Sequence, residues 1–255
     1  IDSLQDLNMT ADQAAFLRGI PDASLRETIR DFYTNQQFRR DYWLRGVRNM
    51  VGHEQAAALR EERVILTVAR SELPTKVRGV LGEAGLMEQI YHPIYDVLQD
   101  HKPRTIGEIE AEVAAKGVNL QQLISAITIL LGLGVLQPVA PGQDLSKAKT
   151  RTHALNRAIS KRSVSVGDVA YFASPLLGGG ISAPRFQQLF WLSKQNGGKT
   201  PADWAAFAWS LLQGQNQAII KDGATLQGED NLTELKAQAE TWGAKVLPVW
   251  TALGI

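Results

Sequence analysis

Apolar side chains recur at helical spacing over residues 22–34 (DASLRETIRDFYT). Leu25, Ile29 and Phe32 or Tyr33 share one face there, behind a Pro21-Asp22 start signal. Asn35 breaks the pattern. Residues 38–46, FRRDYWLRG, alternate instead. Phe38, Arg40, Tyr42 and Leu44 fall on one face of a strand, with Arg39, Asp41, Trp43 and Arg45 on the other. A clearer strand follows at 63–71 (RVILTVARS), a short apolar run rich in β-branched residues. Between the two, the alanine-rich EQAAALREE (54–62) predicts a helix. Paired strands bridged by a helix are therefore expected, with the arginines on the outer face.

The middle of the chain is better specified. YHPIYDVLQ (91–99) predicts a first helix. Thr105 and Glu108 have capping-box spacing and open a second, which runs to about residue 115 and stops at Gly117. Asn119 caps a third, LQQLISAITILLGLG, and VLQPVA (135–140) follows as a strand. Three helices, a tight turn before the third, and then a strand form a winged-helix pattern. A tether over 140–163 leads to VSVGDVAYFASPLLGGGIS (164–182) with its Gly-rich turn, and a helix is expected over 185–195. Thr200-Pro201-Ala202-Asp203 then supplies an N-cap, a proline at N1 and an acid in the first turn. The helix it opens is expected to bury Trp204, Phe207 and Leu211. Helices over 231–242 and 245–255 close the chain, with Glu229 and Asp230 capping or charging the start of the former. The expected fold class is α+β, mainly α. It divides into an N-terminal α/β piece (1–85), a central winged-helix-like module (86–140) and a mainly helical C-terminal region (141–255).

Charge changes this picture locally rather than globally. The net charge is +1, which gives no overall field for nucleic acid or a membrane. Residues 86–146 carry 3 basic and 7 acidic side chains, and residues 147–255 carry 12 and 7. The third helix of the winged-helix pattern has no basic residue anywhere between Lys116 and Lys147. Base reading in a major groove needs Arg, Lys, Asn or Gln there, and Gln121 and Gln122 alone do not supply it. A Leu/Ile-rich helix of this kind is expected to be buried on most sides, in a packing or docking unit. There is no cysteine, so disulfide and thiolate chemistry are absent, and no apolar run reaches the roughly 18 residues of a membrane span. A cytoplasmic location fits this composition. The chain opens at Ile1 rather than at methionine, as expected of a piece of a longer protein whose remainder holds the active site.

Two cationic stretches stand out. FRRDYWLRG offers Arg39, Arg40 and Arg45 beside Tyr42 and Trp43, the residue types enriched at interface hot spots. An edge strand with its arginines in water would give the same pattern. Residues 147–162 carry six basic residues, His153 and no acid. Lys147, Lys149, Arg151, Lys161 and Arg162 are the candidates there for an acidic partner, against a solvated linker and helix face. Aromatics are not interleaved, which disfavours stacking on single-stranded nucleic acid. Ser174–Gly180 (SPLLGGG) lacks the Lys-Ser/Thr of a phosphate loop and GxGxxG spacing, so a turn is expected. His53, His92, His101 and His153 show no metal-ligand spacing, and no catalytic residues are assigned.

Taken together, DFYTNQQFRRDYWLRG, VILTVARS, the winged-helix-like middle, ASPLLGGGI and the terminal GEDNLTELKAQ and LPVWTALGI resemble a known module. It is the predicted methyltransferase regulatory region, with its C-terminal region, of bacterial class I methyltransferases, protein lysine methyltransferases among them. The resemblance implies an S-adenosylmethionine-binding domain upstream or on a separate chain. Glycines 79, 82 and 85 do not follow the strand, acid and glycine order such a domain needs. The implied role is non-catalytic: regulation of a methyltransferase or recognition of its protein substrate, with both as partners and no cofactor in this chain. A winged-helix nucleic-acid-binding regulator is the alternative. An enzyme with an unfamiliar pocket would instead show a cleft lined by titratable groups with displaced pKa values.

Overall fold

The computed structural model describes residues 5–39, 44–141 and 145–255. They form a mixed, mainly helical α+β architecture with four small sheets. The chain divides into two compact units. One gathers the described residues up to 64 with 70–100 and 104–136; the other takes 65–69, 101–103 and 137–255.

In the first unit, α1 (Gln5–Asn8), α2 (Ala11–Arg18) and α3 (Ala23–Thr34) follow one another. Thr10 and Gln13 form a reciprocal capping box on α2. Asp22 caps α3 by accepting from the Leu25 amide at 2.7 Å, and Asn35 closes it in the left-handed region at φ 51°. Next come α4 (Gly52–Glu61) and β1 (Arg63–Leu66), the latter ending across the unit boundary. A hairpin follows, β2 (Lys76–Gly79) with β3 (Gly82–Gly85). The helical core is α5 (Glu88–Leu98), α6 (Ile106–Ala114) and α7 (Leu120–Gly132), with β4 (Arg104–Thr105) between the first two and β5 (Leu136–Pro138) after the third, crossing the unit boundary after Leu136.

The capping box at Thr105–Glu108 forms as its spacing predicts, and Asn119 caps the third helix as expected, in a reciprocal box with Gln122 that the sequence reading did not single out. Helix α5 starts three residues earlier than expected and buries Ile90 and Pro93 as well as Ile94 and Leu98. Ile109, Val113, Leu123, Ala126, Ile127 and Leu130 complete the buried layer. In α7 only Gln121 and Gly132 are exposed, in line with its apolar composition.

Strand β1 does not pair with the described part of 38–46, and residues 40–43 of that predicted strand lie outside the described residues. The neighbours of β1 are β4, in antiparallel register Arg63↔Thr105 and Val64↔Arg104, and β5. The described part of 38–46 carries no strand; Arg45 and Gly46 form a turn. Local alternation was the whole basis for that strand, and alternation supplies no partner for an edge. The predicted strand at 63–71 is also shorter, ending at Leu66, with a 3₁₀ turn at Arg70–Glu72.

In the second unit, the stretch expected as a tether is a 19-residue helix, α8 (Leu145–Ser163). Then come the hairpin β6 (Tyr171–Ser174) and β7 (Gly179–Ser182), α9 (Arg185–Gln195), α10 (Pro201–Gly214), the hairpin β8 (Ile220–Lys221) and β9 (Ala224–Thr225), α11 (Asp230–Thr241) and α12 (Leu247–Ala252). A π-helical turn, Trp242–Val246, joins the last two into one continuous rod. Pro248 explains the break: it has no N–H for the carbonyl four residues back, and the wider turn absorbs the mismatch. Gly243 is required there because a Cβ would press on the Trp204 ring.

The core of this unit is aromatic. Trp204 and Trp242 meet edge to face at 4.9 Å, Trp242 and Trp250 at 5.8 Å, and Phe172 lies 5.0 Å from Trp250 and 5.2 Å from Trp191. Helix α10 buries Trp204, Ala205, Ala208 and Leu212. Phe207 and Leu211, expected inside, are half-buried. Neither Glu229 nor Asp230 makes a side-chain cap for α11. The buried Asn231 instead accepts from Ile219 N at 2.8 Å and donates to the Leu226 and Gly228 carbonyls.

Candidate docking surfaces

Helix α3 is capped at both ends and carries an apolar stripe, yet none of its residues is buried. Phe32 is 80% exposed, Phe38 85% and Leu44 75%; Leu25, Val47, Met50 and Val51 are exposed too. Isolated large apolar side chains on a surface need no explanation, but seven within one 27-residue stretch do. A shallow cavity of about 310 Å³ lies along Asp31, Phe32, Asn35 and Gln36. Arg39 is not free in water: its guanidinium holds Asp31 at 2.9 Å. Arg45 is exposed in its turn, with no partner among the described residues. Arg40, Tyr42 and Trp43 lie outside the described residues.

Helix α8 presents the second surface. Lys147, Lys149, Arg151, Lys161 and Arg162 are all exposed, and so is Arg157, which the sequence reading did not single out. Lys147 and Arg151 stand one turn apart, and Lys161 and Arg162 continue that face two to three turns on. Lys149 is half a turn away from it. Arg162 is engaged: it grips Asp168 through two bonds of 2.9 and 2.6 Å, which raises the guanidinium's pKa and lowers the carboxyl's.

The opposite face of α8 packs inward through small and polar residues. Asn156, Ser160 and Ser163 are buried, and Ala148 and Thr152 are half-buried. Asn156 accepts from Ala173 N at 2.7 Å and donates to Ala173 O at 2.9 Å, so one side chain supplies β6 with the pairing of a missing strand. The C-terminal end of α8 is held by Arg185, which donates to the carbonyls of Ser163 and Val164 at 2.9 and 3.1 Å. Sequence reasoning missed Asn156 and Arg185. A polar residue inside a basic run, and an arginine after Pro184, carry no periodic signal.

Other features offer less chemistry. Glycines 79 and 82 close the β2–β3 hairpin, and a Cβ on Gly79 would collide with the Leu7 carbonyl. This is a strand-to-strand turn, so these residues do not fit the strand-to-helix cradle of a nucleotide cofactor. Ser174–Gly180 forms the β6–β7 turn, with the Ser174 hydroxyl donating to Leu253 O at 2.9 Å. Among the described residues no group of three or more His, Asp or Glu could hold a metal ion, and no helix is long and apolar enough to cross a membrane. A cavity of about 230 Å³ lies beside Arg70, Tyr91, His92 and Tyr95. Burial, then Tyr91, push the Tyr95 phenol up to about 12 against the opposing Arg70, and its hydroxyl donates to Pro74 O at 3.2 Å. A phenol so raised stays protonated at neutral pH and serves as a hydrogen-bond donor rather than a base.

With both surfaces placed, the chain can be set beside known proteins. Residues 1–45 match the family described as "Predicted methyltransferase regulatory domain". Over 256 residues the chain is 35% identical to a protein of Synechocystis sp. (strain ATCC 27184 / PCC 6803 / Kazusa) described as "Uncharacterized protein sll1526". The alignment takes in 100% of this chain and 50% of that protein, so the chain spans about half the length of the curated relative it matches. No solved structure matches it.

Proposed function

We propose that this chain is the non-catalytic regulatory or substrate-recognition portion of a protein methyltransferase of the class I, S-adenosylmethionine-dependent kind. One observation carries the reading. The segment that matches the methyltransferase regulatory family is also the one in which a well-capped helix buries none of its apolar stripe fully and leaves Leu25 and Phe32 in water. A helix of 12 residues gains little from propensity alone and draws its stability from packing. An uncovered apolar stripe therefore suits a docking element whose counterpart is another protein surface. The methyltransferase domain is the partner this assigns to Leu25, Phe32, Phe38 and Leu44, with Arg39 and Arg45 at the rim. The cationic face of α8 is the second surface, suited to acidic stretches of a protein substrate. The length of the Synechocystis relative leaves room for a domain of another kind beside a region like this one.

Two measurements test this. Calorimetric titration of the isolated chain with S-adenosylmethionine is expected to give no saturable heat; micromolar binding overturns the non-catalytic reading. Methyl transfer from labelled S-adenosylmethionine to protein, in an extract of the organism that makes the chain, is expected to change on adding the chain. The Phe32→Asp variant is expected to have no such effect. Equal effects of the two remove α3 from the docking surface.

A further inference from the structure

In the second unit a cleft of about 320 Å³ opens between α9, β8, α11 and the π-helical turn. Its volume is at the lower end of the range for ligand sites. Glu234, Gln238 and Thr241 recur at intervals of four and three along α11, so one face of that helix forms a wall. Val246, half-buried, supplies apolar surface, and Phe190 lines the cleft as a ring only 1% exposed.

The charges in this cleft cancel. Lys221 on β8 holds Glu234 at 2.6 Å, and Gln238 donates to the other Glu234 oxygen at 2.8 Å. The Gln238 and Lys221 bonds keep the Glu234 carboxyl below its usual range. With both charges spent on each other, the cleft has no net attraction for a phosphate, a carboxylate or a metal ion. Amide chemistry is left over. Gln187 has no hydrogen-bond partner among the described residues, and the Gln238 carbonyl oxygen is unused. Trp242 lines the cleft, is 1% exposed, and its indole N–H has no acceptor. A buried donor without an acceptor is rare and costly. This one belongs to the first residue of the π-helical turn, the kind of helix defect that recurs at functional sites.

We infer that this cleft binds an uncharged stretch of peptide, with an apolar side chain against Val246 and, as the π-helical turn adjusts, against Phe190. The peptide's amide groups pair with Gln187 and Gln238. Its carbonyl oxygen takes the Trp242 indole N–H as the π-helical turn adjusts. The inference rests on the substrate-recognition reading above and names the class of segment recognised.

The test uses the whole chain, labelled with ¹⁵N, and N-acetyl-phenylalaninamide as probe. Saturable shifts of the Trp242 indole and Gln238 side-chain resonances are expected. Gln238→Leu and, separately, Gln187→Leu are each expected to weaken binding about tenfold, the equivalent of one lost hydrogen bond. Both positions are only half-buried, so the fold is retained. No saturable shift up to about 10 mM probe, weaker than any specific site requires, overturns the proposal. Equal binding of phenylacetate or adenosine overturns it as well, since neither carries a peptide amide. If the probe binds as described while methyl transfer ignores the added chain, the cleft stands and the methyltransferase reading falls. If methyl transfer responds and the probe does not bind, the cleft alone falls.

Discussion

The N-terminal helix α3 and the C-terminal helix α10 are specified by the same local rules and end in opposite environments. Each has a side-chain N-cap: Asp22 on the Leu25 amide for α3, and Thr200 with Asp203 in a reciprocal box for α10. Each carries large apolar residues at helical spacing, Leu25, Ile29 and Phe32 in α3 and Trp204, Phe207 and Leu211 in α10. In α10, Trp204 is buried edge to face on Trp242. In α3, Phe32 faces water. Capping therefore fixes where a helix starts without saying what covers it. Burial is decided by the rest of the chain, and for α3 the described residues cover Ile29 and Tyr33 only in part and leave Leu25 and Phe32 exposed.

That contrast is broken most directly by removing one aromatic from each region. Trp250→Ala opens a cavity beside Phe172 and Trp242 and is expected to cost about 3–5 kcal/mol in chemical denaturation. Phe32→Ala and Phe38→Ala, on side chains already in water, are expected to change stability by no more than about 0.5 kcal/mol. Comparable losses at Phe32 and Trp250 would mean that α3 is covered within the chain, and the docking surface would go with it.

A smaller effect is expected where a polar side chain does the packing. Ala183 N donates to Ala170 O, so by the alternation of an antiparallel ladder Ala173 turns its N–H and C=O away from β7, toward Asn156. Asn156→Leu leaves both groups unpaired and is expected to cost about 1–3 kcal/mol. An unchanged denaturation midpoint would show that α8 is the loose tether its sequence suggests.

The sequence was most legible where one residue has one structural job. Thr105, Asn119 and Thr200 mark helix starts, and each cap forms as spacing predicts. Alternation over 38–46 could not name a partner: β1, expected to pair there, is paired with β4 and β5. Helix α8 was hidden for the opposite reason. Its inward face is Ala148, Thr152, His153, Asn156, Ile159, Ser160 and Ser163, and one isoleucine among small and polar residues makes no apolar period. Of the candidate site, the basic residues were readable as charges, but the commitments of Arg39 to Asp31 and Arg162 to Asp168 were not, since both partners lie six to eight residues away across a turn. The exposed face of α3 looked like an ordinary buried stripe, because composition is blind to whether a stripe is met.

The caps sharpen the comparison at lower energy. Thr200→Ala removes an acceptor from the Asp203 amide on a helix whose other face is core, and is expected to lower global stability by about 1 kcal/mol. Asp22→Ala removes an equivalent bond from α3. Because nothing in α3 is buried, the loss is expected as local fraying, seen as faster amide exchange at Leu25 and Arg26 with the global midpoint unmoved. A global loss from Asp22→Ala matching that from Thr200→Ala would tie α3 to the cooperative core.

Acid provides the smallest and most local discrimination. The amides of Thr200 and Lys199 hold the Asp203 carboxyl below its ordinary value of 3.8, and the Thr105 amide holds Glu108 below 4.5. In both cases the unfolded chain binds the proton more tightly than the folded one. The stabilisation is thus complete above the ordinary value and is lost as pH falls through the lower, folded one. Both units should consequently shed one cap on acidification, Glu108 from the higher starting value. Carboxyl-carbon NMR titration is expected to find both midpoints below the ordinary values, with Thr200→Ala, which removes the hydroxyl and keeps the amide, moving Asp203 only part of the way back up and leaving Glu108 where it was. An Asp203 midpoint indifferent to Thr200→Ala would assign its depression to the Thr200 and Lys199 amides alone, with no share from the Thr200 hydroxyl.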